Sequence, residues 1–91
     1  MTITVYKNPD QETFIESHIW NPWSSVEIYK TLRTNNDGST KTFYSLYVDG
    51  DHETDTKTIK EARAYIQKLR DSWIENHPGE KIPWGRDKLK L

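Results

Sequence analysis

"TFYSLYVDG", residues 42–50, reads as a β-strand, because aromatic and β-branched side chains fit a pleated, half-buried surface. Side chains alternate along a strand, so Tyr44, Leu46 and Val48 point one way and Phe43 and Tyr47 the other. Both faces therefore carry large apolar groups, and a fold for this chain has to supply something for each.

Upstream, "NNDGS" at 35–39 offers Asn, Asp and Gly, residues that tolerate the positive φ of a tight turn. Val26, Ile28 and Leu32 alternate before it, so 25–34 and 41–49 are expected to form an antiparallel hairpin. Residues 2–7 alternate β-branched and aromatic types and run into the turn-forming Asn8-Pro9-Asp10. The stretch 12–20, "ETFIESHIW", fits one helical face through Phe14, Ile15, His18 and Ile19. Its aromatic and β-branched content after a tight turn favours a strand instead. Pro22 then breaks the chain, because it disfavours a helical conformation at Asn21 and lacks a ladder donor.

From residue 58 the period changes. Thr58 and Glu61 have capping-box spacing, Ile59, Ala62, Ile66, Leu69 and Trp73 form one apolar stripe, and Asn76-His77-Pro78-Gly79 supplies a stop. This predicts a helix of about five turns. Beyond it, "EKIPWGRDKLKL" mixes basic and large apolar residues, which suits an arm that docks. The expected organisation is one α+β domain over residues 1–78, ββββα or close to it, followed by an arm over 79–91. A meander of three or four antiparallel strands buries one face under the helix.

The second face would then carry Tyr29, Thr31 and Arg33 from one strand and Lys41, Phe43, Ser45 and Tyr47 from the next, with Tyr6 and Phe14 as extensions. Three arrangements satisfy it: an open binding platform, the arm folded over it through Ile82, Trp84, Leu89 and Leu91, or a second copy of the chain.

Composition narrows the chemistry. The 91 residues contain no cysteine, which excludes disulfides and thiolate metal sites. Thirteen Lys plus Arg against 14 Asp plus Glu leave a net charge of −1, so no whole-molecule field draws the chain to nucleic acid or to an anionic membrane. With no leader-like N-terminus and no long apolar run, a cytoplasmic, non-membrane protein is expected. "DGDHETD" at 49–55 spaces oxygen ligands two apart, but the twelfth residue from Asp49 is Lys60, where a calcium loop needs Glu. The histidines at 18, 52 and 77 are scattered near turns and strand ends and are expected at the surface. Neither a nucleophile elbow nor a phosphate loop is present. No catalytic residue, metal or cofactor is therefore assigned, and the chain is expected not to be an enzyme. Lys60, Arg63 and Arg70 run beside the helical stripe and could meet phosphates.

"YSLYVDG", an acidic turn and "TIKEARAYIQKL" resemble the last strands and helix of the small arm-type DNA-binding domains at the N-terminus of tyrosine recombinases. The likeness rests on Tyr44, Tyr47, Asp49, Gly50, Thr58, Glu61 and Ala62. It implies a sheet laid in a major groove. The residues read by themselves favour a non-catalytic module that binds a protein partner, a second copy included, through Tyr29, Arg33, Lys41, Phe43, Tyr47 and Trp84. Nucleic-acid binding is the alternative.

Overall fold

The computed structural model describes residues 10–85 and Leu89. The chain forms four strands, β1 (Gln11–Asn21), β2 (Ser24–Thr34), β3 (Thr40–Val48) and β4 (Asp51–Thr56), then one helix, α1 (Ile59–Asn76). The strands make one antiparallel meander in the order β1-β2-β3-β4, so the α+β, ββββα architecture stands. The proposed strand at 2–7 lies outside the described residues.

The fourth strand is the acidic stretch that the sequence reads as a turn. Asp49 and Gly50 both take positive φ, 52° and 88°, which is the two-residue turn that continues a twisted hairpin. Asp-Gly therefore closes β3 onto β4 rather than ending the sheet. The alternate acids Asp51, Glu53 and Asp55 suit an edge strand, where charge discourages pairing with other chains.

Register explains the ambiguous β1. Phe14 pairs with Tyr29 and Glu16 with Ile28, which leaves Ile15 unpaired as a bulge. The bulge reverses the alternation: Phe14 faces away from the helix, while Glu16 and His18 lie opposite the core residues Ile28 and Val26. Adjacent apolar pairs at 14–15 and 18–19 thus record a bulged strand, not a helix.

The helix covers the other face. Val26, Ile28 and Leu46 pack with Ala62 and Ile66, and Trp20, Tyr44, Ile59 and Leu69 close around them. Thr58 caps the helix, its hydroxyl accepting the Glu61 N–H at 3.1 Å, while the Glu61 carboxylate accepts the Lys57 N–H at 3.2 Å. Arg63 donates to Glu16 from Nε and Nη2 at 3.1 and 2.6 Å, and His18 bonds the other carboxylate oxygen. Burial pushes the Glu16 carboxyl up, yet the Arg63 and His18 hydrogen bonds outweigh it and hold the group below the usual carboxylate range.

Two helix residues expected beside phosphates are engaged within the protein. Arg63 binds Glu16, and Arg70 is buried, its Nε donating to the Ile19 carbonyl at 2.7 Å. The histidines divide likewise. His52 is exposed, whereas His18 is largely buried beside Glu16 and His77 stacks on Trp73 with ring centroids 4.6 Å apart.

Candidate functional site

Five of the six candidate residues share the sheet face turned away from the helix. Cross-strand pairing aligns Arg33 with Lys41, Thr31 with Phe43, Tyr29 with Ser45 and Glu27 with Tyr47. Among the described residues no second layer covers this face. Trp84 is elsewhere: its ring meets Trp73 edge-on at 5.9 Å and lies 4.7 Å from the Arg70 guanidinium, while Leu89 packs against the core under the helix. Trp84 and Leu89 thus dock on the helix side and not over Phe43 and Tyr47, whereas Ile82 is exposed. Tyr6, Arg86, Lys88, Lys90 and Leu91 lie outside the described residues.

The face has two unlike parts. Phe43 is only 6% exposed, with the Arg33 guanidinium 5.0 Å over its ring, and Thr31 and Ser45 are buried beside it with their hydroxyls 2.8 Å apart. Phe43 is thus a packing residue. Next to it a row of rings crosses all four strands, Phe14 on Tyr29 at 5.6 Å, Tyr29 on Tyr47 at 5.3 Å and Tyr47 on His52 at 5.5 Å, each edge to face. Phe14 is 53% exposed and the two tyrosines are half-buried.

Carboxylates hold the row in place. The Tyr29 hydroxyl donates to Glu27 at 2.8 Å, the Tyr47 hydroxyl to Glu12 at 2.7 Å, and His52 Nε2 lies 2.7 Å from Asp55. The bond to Glu12, together with burial and the Glu12 charge, pushes the Tyr47 phenol up to about 12. Unfolded Tyr47 would release its proton near the usual value of about 10. Between those values the unfolded state loses its proton first, so stability falls as pH rises through that window. Bonds to Glu27 and Glu53 also raise Tyr29 and Tyr65, so an ultraviolet titration should show several late-ionising tyrosines, and Glu12→Gln should move the Tyr47 step, near 12, to lower pH. An unmoved step would break the assignment.

Charge is unevenly spread over the face. Arg33, Lys41 and Lys57 line a hollow of about 240 Å³ at one end, together with Phe43 and Asp55. Glu12 and Glu27 line a second hollow of about 240 Å³ with Tyr29, Tyr47 and Gly50. Arg33 is tied to Asp10, with Nη2 to Oδ2 at 2.9 Å. A surface laid in a major groove would need cations to meet phosphates, and three carboxylates among the rings oppose that.

Sequence reading placed Tyr29, Arg33, Lys41 and Tyr47 together, but it missed Glu12, Glu27 and His52. The missed signal for His52 is the Asp49-Gly50 turn, which brings β4 alongside Tyr47. At the opposite tip Trp23 is 84% exposed on a turn braced by the Asn21 Oδ1, which accepts the Trp23 N–H at 2.7 Å. Among the described residues no group of three or more His, Cys, Asp or Glu side chains could hold a metal ion, and no helix is long and apolar enough to cross a membrane. Comparison of the chain with protein-family models, curated proteins and solved structures finds no match, so the reading of this surface rests on its own residues.

Proposed function

We propose that this chain is a small non-catalytic interaction module that binds a protein partner through the sheet face bearing Phe14, Tyr29 and Tyr47. The observation that supports it is the row of half-exposed rings held edge to face and by carboxylates. Rings already fixed in place lose little conformational freedom on binding, and aromatic anchors dominate interface energies. The basic hollow of Arg33, Lys41 and Lys57 favours a second reading, contact with a nucleic-acid backbone.

The experiment is retention of protein from nuclease-treated extract of the source cells on the immobilised chain, beside a Phe14→Ser/Tyr29→Ser variant. The variant should stay folded but melt somewhat below the parent, because Tyr29 is half-buried and packs edge to face with Phe14 and Tyr47. It should also lose bound protein by about tenfold or more, which corresponds to about 1.4 kcal/mol. Undiminished retention by a folded variant would overturn the reading. Retention that needs nucleic acid and collapses with rising salt would replace it with the second.

A further inference from the structure

We infer that the tip of the sheet bearing Trp23 is a second binding site, separate from the aromatic row, and that its ligand is a carbohydrate, one pyranose ring stacked on the indole with its hydroxyls on Asp49 and Asn21. A hollow of about 240 Å³ lies there, lined by Ile19, Asn21, Pro22, Ser25 and Asp49 together with Trp23. Trp23 is the most exposed large apolar side chain among the described residues, at 84%.

The turn that carries it is braced from both sides. Asn21 Oδ1 accepts the Trp23 N–H at 2.7 Å. Ser24 Oγ accepts the Trp20 indole N–H at 2.9 Å and donates to Asp49 Oδ2 at 2.8 Å, so one hydroxyl joins the β1–β2 turn to the β3–β4 turn and fixes the carboxylate on the rim. These bonds use the amide oxygen of Asn21 and one oxygen of Asp49. Asp49 Oδ1, Asn21 Nδ2 and the Ser25 hydroxyl have no hydrogen-bond partner among the described residues, and all three residues line the hollow.

A pyranose matches this set on both counts. Its C–H groups, polarised by the neighbouring oxygens, meet the negative face of an aromatic ring. A sugar hydroxyl donates and accepts at once, so it can donate to the acceptor-only carboxylate while accepting from the amide N–H. Other ligand classes leave one half of the site unmet. A proline-rich segment would stack on the indole, but proline has no N–H, so the Asp49 carboxylate would be covered without a donor. An aliphatic side chain would bury that charge unpaired, and a phosphate would be repelled by it. The hollow is below the usual size of small-molecule pockets, so dissociation on the order of 1 mM is expected for a single ring.

The test is a titration of the full chain, followed by amide and indole proton–nitrogen NMR spectra, with N-acetylglucosamine and the methyl glycosides of glucose, galactose and mannose, each up to about 50 mM. At least one sugar should shift the Trp23 indole N–H and the amides of 21–25 and 49–50 saturably, and leave the Trp73 and Trp84 indoles in place. Trp23→Ala should melt as the parent does, because surface substitutions of this kind change stability little, and should abolish the shifts. Asp49→Asn keeps a residue that tolerates the positive φ of this turn and should weaken binding by about tenfold or more. The Phe14→Ser/Tyr29→Ser variant should bind sugar as the parent does, so the loss of the protein-binding reading would leave this site standing, and the reverse. Saturable shifts from none of the sugars, shifts that survive Trp23→Ala, or shifts at this tip from a proline-rich peptide and not from a sugar would overturn the inference.

Discussion

Arg70→Ala is expected to destabilise the protein by about 3–5 kcal/mol, a large part of the stability of a domain this small. The side chain is 1% exposed, yet it carries a charge that is expensive to bury without partners. Its Nε–H satisfies the Ile19 carbonyl on β1 and its guanidinium lies 4.7 Å from the Trp84 ring, so it ties helix, sheet and arm together. Alanine would leave a cavity and remove that donor at once. Arg70→Met, which keeps most of the volume, should recover part of the loss. Arg70→Lys should recover less than its charge suggests, because an ammonium cannot stack as a planar guanidinium does. Urea denaturation with an unchanged slope would measure each difference. An alanine variant as stable as the parent would mean that Arg70 does not hold the arm.

Trp73→Ala should cost a similar amount, about 3–5 kcal/mol, as for other large buried rings. The indole is 6% exposed, stacks on His77 and receives the edge of Trp84, so its loss removes the seat of the arm as well as core volume. Trp84→Ala combined with either helix change should therefore cost less than the sum of the separate losses, since all three residues share one cluster. Thermal melts of the single and double variants would read this. Strict additivity would place Trp84 outside the cluster.

The central hairpin and the helix were legible because each rests on local physics: alternation on either side of "NNDGS", and a Thr58 cap ahead of a 3.6-residue stripe. The division of β2 and β3 into a helix-facing set and an opposite set followed from the same alternation. β4 was not legible as a strand because its acids resemble a solvated loop. The Asp49-Gly50 turn ahead of it carried the better signal. The bulge at Ile15 defeated alternation in β1 by inserting one unpaired residue, a non-local property of its pairing with β2. Arg70 shares the stripe of Ile66 and Trp73 by spacing, four after one and three before the other, but its charge masked its place in the interior. The seat of Trp84 depends on that buried guanidinium and could not be read from the arm alone. Within the candidate surface, the burial of Phe43 was hidden for the same reason: alternation assigns a face but not what lies over it.

The claim that the aromatic sheet face is the recognition surface is tested most directly by placing a photo-crosslinking phenylalanine analogue at Tyr29, and separately at Glu75 on the exposed side of α1. Irradiated in extract of the source cells, the chain labelled at position 29 should give covalent protein adducts, and the chain labelled at position 75 should not. Adducts from position 75 alone, or adducts to nucleic acid alone from position 29, would contradict the account.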